Sequence, residues 1–194
     1  MIAATVDAKG LPVTCAIDMM DADENSLYFL TAKGKSFYQR LVDREYIAFT
    51  AMKGESTLSS VAVSVRGKVK EIGNDKIPAL FEKNRYMFEI YPTEESRVAL
   101  TVFQIYDGSG EWFDLSKKPV ERASFVFGAS EEKPGGYSVN DNCIACGSCL
   151  EVCPQSCIAI KDIAVINQNN CLHCGNCYQI CPVGAVEKKS MQGI

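Results

Sequence analysis

Cys143-Ile144-Ala145-Cys146-Gly147-Ser148-Cys149-Leu150-Glu151-Val152-Cys153-Pro154 is followed, 28 residues on, by Cys171-Leu172-His173-Cys174-Gly175-Asn176-Cys177-Tyr178-Gln179-Ile180-Cys181-Pro182. Residues 142–158 and 170–186 align without a gap. Four Cys, a Gly, a Pro and the leading Asn142/Asn170 are identical, and Ile144/Leu172, Val152/Ile180 and Ile158/Val186 match in character. Nine of the ten cysteines fall in the 39 residues from Cys143 to Cys181; only Cys15 lies elsewhere. The protein is expected to be cytoplasmic. Met1 to Val6 has neither the basic start nor the roughly 7–15-residue apolar stretch of a signal peptide. No run approaches the roughly 18 apolar residues of a membrane span, so no membrane role is expected. Thiols stay reduced in the cytoplasm, and a cysteine cluster there points to metal and not to disulfides.

Each repeat reads C-x2-C-x2-C-x3-C-P, the spacing of bacterial proteins with two iron–sulfur cubes. Three thiolates two residues apart wrap a turn around one cube, and the short spacers leave backbone N–H groups aimed at the sulfurs. The fourth Cys is followed by Pro, so the chain turns away there and reaches the other cube. One [4Fe-4S] cluster is thereby assigned to Cys143, Cys146, Cys149 and Cys181, and the other to Cys171, Cys174, Cys177 and Cys153. Zinc sites usually separate two Cys pairs by a longer loop and need only four ligands. Cys157 falls opposite Ala185 and reads as a small buried residue. His173, the single histidine, falls opposite Ala145 and reads as an exposed neighbour. The motifs resemble the two-[4Fe-4S] bacterial ferredoxin family over essentially all of 140–188. That resemblance implies low-potential, one-electron transfer by clusters whose irons are fully ligated and bind no substrate.

Working outward, residues 137–194 hold only two aromatics, Tyr137 and Tyr178. A 58-residue unit so poor in apolar bulk is marginal alone, so the clusters must act as its core. Glu131-Glu132-Lys133-Pro134-Gly135-Gly136 is charged and then turn-forming, a linker over 131–136. It separates a first domain over 1–130 from the cysteine-bearing domain over 137–194. Net charge is −4, and neither part carries the basic excess that nucleic-acid binding needs.

The first domain reads mostly as strand. Ile2–Val6 and Leu11–Ile17 flank Asp7-Ala8-Lys9-Gly10, a hairpin turn with Gly available for positive φ. Asp21–Ser26 is a polar turn before a strand at Leu27–Leu30. Ser36–Arg44 reads as a short helix and Tyr46–Ala51 as a strand. Val61, Val63 and Val65 alternate with Ala62, Ser64 and Arg66, a strand running to about Ile72. Asn74 or Asp75 caps a helix with Pro78 in its first turn and a stripe of Leu80, Phe81, Asn84, Met87 and Phe88. Val98–Tyr106 and Glu111–Leu115 bracket Asp107-Gly108-Ser109-Gly110, a second hairpin. About six strands and two short helices predict a closed or split antiparallel barrel.

Ala4-Thr5-Val6-Asp7, then Gly10-Leu11-Pro12, then Tyr28-Phe29-Leu30-Thr31 resembles the opening of the pyridoxamine 5′-phosphate oxidase-like flavin-binding split barrel. Val65-Arg66-Gly67-Lys68-Val69 and Glu111-Trp112-Phe113 also fit, and the resemblance spans about 1–127. It implies a homodimer with FMN at the interface. The flavin phosphate would be held by Thr31, which matches the family's hydroxyl, and by Lys33, Lys35 and Ser36 on the matching loop. Arg66 is either a cofactor contact or a snorkelling surface residue. A gapless alignment puts Cys15 and Met20 where the oxidase itself carries an Arg and a Lys, which argues against a pyridoxamine phosphate oxidase proper. No G-x-G-x-x-G is present, and one histidine forbids a His-ligated haem and most hydrolytic triads.

The expected fold is a mainly β split barrel with short helices, joined to a small α+β ferredoxin-like iron–sulfur domain. The expected function is a flavin and iron–sulfur oxidoreductase. Electrons exchanged with a redox partner protein would pass between two [4Fe-4S] clusters and FMN to reduce a small acceptor. The alternative is a dimeric electron carrier or redox sensor with no small-molecule substrate.

Overall fold

Asp7 organises the first hairpin as its sequence requires. Its Oδ1 accepts from the backbone N–H of Lys9 at 2.8 Å and of Leu11 at 2.9 Å, and Gly10 takes φ +82°. The hairpin joins β1 (Ile2–Val6) to β2 (Pro12–Ala16) antiparallel, with Ala4 opposite Thr14. The computed structural model describes residues 1–131 and 135–189. Residues 132–134, the centre of the expected linker over 131–136, and the last residues of the expected second domain lie outside them.

Next come β3 (Asp21–Ala22), β4 (Leu27–Ala32), α1 (Ser36–Arg44), β5 (Tyr46–Lys53), a 3-10 turn at Thr57–Ser59 and β6 (Val61–Gly73). Then follow α2 (Ile77–Lys83), α3 (Met87–Ile90), α4 (Glu94–Arg97), β7 (Leu100–Asp114) and β8 (Glu121–Phe127). Eight strands form one sheet in the order β2-β1-β5-β6-β7-β4-β3, with β8 also on β7. In the β4/β7 pair Phe29 lies opposite Phe103 and Thr31 opposite Thr101. Side chains of a strand alternate faces, and here both faces are covered. Phe29, Phe103 and Ile105 pack with Phe37 and Leu41 of α1, Ile47 and Val69. Tyr28, Leu100 and Val102 pack with Leu80 and Phe81 of α2 and Met87 of α3. That double burial explains the nearly unbroken apolar run Leu100-Thr101-Val102-Phe103.

Two local expectations are corrected. Asp107–Gly110 is not a hairpin, because β7 runs straight through it. A Cβ at Gly108 would meet the Arg66 carbonyl, and one at Gly110 the Phe125 ring, so these glycines serve close approach of strands and not a turn. The reversal comes later, between β7 and β8, where Asp114 Oδ1 accepts from the Ser116 N–H at 2.9 Å. The second helix expected after Asn74 is two short helices. Lys76, not Asn74 or Asp75, occupies the N-cap of α2. Asn84 interrupts the helical run at φ −125°, ψ 67°, its Nδ2 donating to the carbonyls of Leu80 (2.9 Å) and Met20 (2.8 Å). An Asn amide that bonds backbone in this way competes with the helical ladder.

By contacts the chain forms two compact units. One comprises Met1–Met52, Val63–Gly110 and Phe125–Glu131; the other comprises Lys53–Ala62, Glu111–Ser124 and the C-terminal stretch. In the latter lie β9 (Gly136–Val139), α5 (Ser148–Glu151), β10 (Ile158–Ile160), β11 (Ala164–Ile166), α6 (Asn176–Ile180) and β12 (Val186–Lys189). The sequence repeat is a structural one and extends further than the sequence match. β9-α5-β10 corresponds to β11-α6-β12, both beginning at residues 28 apart, Gly136 and Ala164. The strands pair across the copies, β9 with β12 and β10 with β11.

Candidate functional site

Backbone conformation repeats with the cysteines. Ala145 and His173 take φ +52° and +54°, Gly147 and Gly175 +83° and +85°, and Ser156 and Gly184 +48° and +62°. These left-handed residues coil each three-cysteine loop and turn its N–H groups inward. Ala145 N–H reaches Cys143 Sγ at 3.4 Å, and its counterpart His173 N–H reaches Cys171 Sγ at 3.4 Å. After each Cys-Pro, Cys157 N–H reaches Cys153 Sγ at 3.4 Å and Ala185 N–H reaches Cys181 Sγ at 3.2 Å. Burial pushes the thiols of Cys153 and Cys181 up, but several backbone N–H groups together outweigh it and hold both below the ordinary thiol value. Cys149 and Cys177, on α5 and α6, are pushed up by burial.

The cysteines gather in crossed sets. Cys143, Cys146, Cys149 and Cys181 line one pocket, closed by Ile160, Val186 and other apolar groups. Cys171, Cys174, Cys177 and Cys153 line a second, with Tyr137, Ile158 and Ile166. The first pocket takes three sulfurs from one repeat and the fourth from the other, and the second does the same with Cys157 as an additional lining cysteine. Among the described residues no three Cys, His, Asp or Glu side chains converge on a single-ion position, and the sulfurs surround a volume instead of a point. Four thiols around an apolar pocket, with N–H groups aimed at the sulfurs, fit a cubane iron–sulfur cluster.

Cys157 is buried, as expected, and lies 3.4 Å from Cys153 through sulfur. Burial first, then Cys153 and Cys171, push its thiol up to about 12, so it stays protonated. His173 is not the exposed neighbour expected from the sequence. Its Nε2 is buried and, like Gln168 Oε1, has no partner among the described residues. Both atoms close over Gly136, where a Cβ would lie 2.6 Å from each, so only glycine fits there. Burial, then the nearby Arg122, hold His173 below its usual value.

Sequence reasoning missed Arg122 of β8, which is buried beside this second pocket. Its Nη1 donates to the Cys171 carbonyl at 3.3 Å and its Nη2 pairs with Glu111 Oε2 at 3.1 Å. The surrounding turn is sewn to the cysteine segment as well: Arg122 N–H donates to Asn169 O (3.0 Å), Val120 N–H to Gln155 Oε1 (2.7 Å) and Asn170 Nδ2 to Val120 O (3.1 Å). The only signal was Arg122 between two β-prone runs far from any cysteine, which reads as a surface charge.

In the first unit, Thr31 is buried near the end of β4, paired with Thr101. Lys35 is the N-cap residue of α1 and Ser36 its first residue; both are exposed, and no acidic residue occupies the first turn. The uncapped helix start and Lys35 favour an anion there. Lys33 is differently engaged: its Nζ pairs with Glu71 Oε1 at 3.4 Å. Glu71 also accepts from Thr101 Oγ1 at 2.6 Å and Tyr38 Oη at 2.9 Å. Arg66 is half-buried on β6 and makes no ion pair with a carboxylate among the described residues. The loop residues Lys35 and Ser36 fit a phosphate group, whereas the Glu71 carboxylate opposes one beside Lys33.

Residues 131–185 match the family of the 4Fe-4S dicluster domain. Over the N-terminal region the structural neighbours are pyridoxamine phosphate oxidase-like split barrels. PhzG from Burkholderia lata, solved with tetrahydrophenazine-1-carboxylic acid, is 12% identical with a TM-score of 0.51, covering 68% of this chain and 78% of that one. A heme binding protein from Mycobacterium smegmatis is 11% identical with a TM-score of 0.50, covering 64% of this chain and 51% of that one. A pyridoxamine 5′-phosphate oxidase-related, FMN binding protein from Nostoc punctiforme is 12% identical with a TM-score of 0.46, covering 65% and 85%. The chain thus spans about half the length of the mycobacterial protein. At these identities the likeness to the Burkholderia and Mycobacterium proteins is one of fold. No curated protein matches the chain by sequence. The chain therefore joins a split-barrel fold to an iron–sulfur ferredoxin domain, and no helix is long and apolar enough to cross a membrane among the described residues.

Proposed function

We propose that the chain is a flavin and iron–sulfur oxidoreductase, relaying electrons between two [4Fe-4S] clusters and a bound FMN to reduce a small acceptor. The observation that carries this reading is the crossed gathering of Cys143, Cys146, Cys149 and Cys181 around one pocket and of Cys171, Cys174, Cys177 and Cys153 around the other. When bound, the clusters would supply single electrons at low potential, and the flavin would collect them one at a time and pass them on in pairs. The protein's part is positioning. The left-handed residues at 145, 147, 173 and 175 aim N–H groups at sulfur, and the apolar walls exclude water, both of which set the potential. Lys35, Ser36 and the start of α1 would hold the flavin phosphate, with Thr31 behind them.

A second reading, a dimeric carrier or sensor without a small-molecule substrate, is favoured by the Lys33–Glu71 pair, which withholds one expected cation from a phosphate. Anaerobic purification followed by iron, sulfide and extracted-cofactor analysis separates the readings. About eight irons and eight sulfides with one FMN per chain support the oxidoreductase. The same iron and sulfide without flavin supports the carrier. Two zinc ions without sulfide contradict both.

The dimer is also part of the proposal. β2 and β3 end the sheet, and Ile2, Val6 and Leu11 are exposed on the β1–β2 hairpin. An unpaired edge beside exposed apolar side chains favours a partner strand or face. Sedimentation should give a dimer that loses flavin on dilution; a monomer retaining stoichiometric FMN would contradict a shared site.

A further inference from the structure

The two cysteine pockets are copies in backbone, but their electrostatic surroundings differ. Beside the pocket lined by Cys153, Cys171, Cys174 and Cys177 sits the guanidinium of Arg122, whose side chain is 5% exposed. It is held on three sides: by the Cys171 carbonyl at 3.3 Å, by Glu111 Oε2 at 3.1 Å, and by the Phe113 ring, 4.8 Å from the centroid. Burying a guanidinium is costly unless its partners are fixed, and cutting one partner leaves an uncompensated charge. The pair is also lopsided. Glu111 is 36% exposed, so water screens the negative end while the positive end lies dry against the Cys171 loop. At the copy of that loop, Cys143 to Cys149, no Arg or Lys side chain makes a hydrogen bond among the described residues.

We propose that Arg122 is a positioning residue that sets the two clusters apart in energy. It raises the reduction potential of the cluster held by Cys153, Cys171, Cys174 and Cys177 above that of its twin. An added electron makes a cluster more negative, and a buried cation stabilises that state far more than a solvated one does. The electron delivered to the module then rests at the Cys171 side. Glu111 acts in the opposite sense, because its carboxylate offsets part of the Arg122 charge. The inference rests on the two-cluster reading above.

The test is a stepwise anaerobic dithionite titration of the full, cluster-loaded chain, followed by electron paramagnetic resonance. Iron and sulfide are measured first on every sample. In the parent, two couples should separate. Arg122→Gln should lower the higher one by at least the equivalent of a tenfold change in its equilibrium constant, about 59 mV for a one-electron couple. Glu111→Gln should move that same couple upward, and Arg122→Lys should keep most of the parent separation. A merely structural role would move both neutral variants the same way. Shifts of one sign in Arg122→Gln and Glu111→Gln, or no shift in either, overturn the tuning role. Should Arg122→Gln fail to hold its iron, Glu111→Gln decides alone: an upward shift supports the role and an unchanged couple overturns it. A parent chain with fewer than two clusters overturns the two-cluster reading and the tuning role with it, and the iron analysis identifies that case.

Discussion

The two regions of this molecule bury their cores in different ways. The β4/β7 region is held by large apolar side chains, among them Phe29, Phe81, Phe103, Leu41 and Leu80, all essentially inaccessible. The cysteine-bearing region has a core of Tyr137, Cys149, Ala164, Cys177 and Val186, so two of its five members are thiols. In the first region the core and the chemistry are separate. In the second they are the same atoms. A sequence that must spend its core positions on ligands announces its chemistry, whereas one that fills them with Phe and Leu announces only its fold.

The largest expected effect breaks this contrast open. Stripping iron with a chelator under anaerobic conditions should unfold the cysteine-bearing unit and leave the other intact. Hydrogen exchange read by segment should show lost protection over 136–189. The loss should extend to Glu111–Ser124 and Lys53–Ala62, which belong to the same compact unit. Protection should persist at Phe29 and Phe103. Retained protection over 136–189 without iron would mean that the apolar residues there suffice.

The converse experiment sharpens it from the other side. Phe103 is stacked on Phe29, ring centroids 5.7 Å apart, and 1% exposed. Phe103→Ala should destabilise the β4/β7 region by about 3–5 kcal/mol in denaturant melts. Iron and sulfide content should stay at the parent value. Loss of clusters in this variant would show that the two cores are not independent.

The same contrast governs what could be read from the sequence. The cysteine repeat was legible because its spacing is fixed by the object it encloses. It fell short at Gly136 and Ala164, where the repeat continues in backbone but shares no residue. Arg122 was illegible, since its partners Glu111, Asn169 and the Cys171 carbonyl come together only through tertiary packing. In the β-rich part, α1 was legible from Phe37 and Leu41 at helical spacing, and its range matches. The glycines at 108 and 110 misled, because a glycine that admits a neighbouring strand looks in sequence like one that makes a turn. Thr31, Lys33, Lys35 and Ser36 were marked as a group by resemblance; only the structure divides them into an exposed pair, a buried hydroxyl and a lysine already paired.

That division yields a graded prediction. Lys35→Ala should weaken FMN binding by about 1.5–3 kcal/mol, the worth of one charge-assisted phosphate contact. Lys33→Ala should weaken it less, because Glu71 already claims that ammonium. Fluorescence titration of apo-protein with FMN measures both. Equal losses would mean that Lys33 leaves Glu71 when the phosphate arrives.

The smallest effect concerns Glu71 itself. The Thr101 hydroxyl first, then Tyr38 and Lys33, hold its carboxyl below the usual value of 4.5 against the opposing push of burial. A carboxylate whose folded value is depressed gives its full stabilisation above its unfolded value and loses it as the pH falls through the folded one. The β4/β7 region should therefore lose stability as the pH falls below about 4.5, because the unfolded chain's Glu71 takes up its proton before the folded one does. Glu71→Gln keeps an acceptor for Thr101 but removes the titration, so its melting temperature should vary less with pH over that window than the parent's. The substitution also frees Lys33. If the loop from Thr31 to Ser36 holds a phosphate, Glu71→Gln should tighten FMN binding at neutral pH, since a nearby negative charge is gone and a cation is released. Unchanged affinity together with the flattened pH profile would move the phosphate away from Lys33 while leaving the Glu71 network as described. An unflattened profile would show that Thr101 and Tyr38 do not set the ionisation of Glu71.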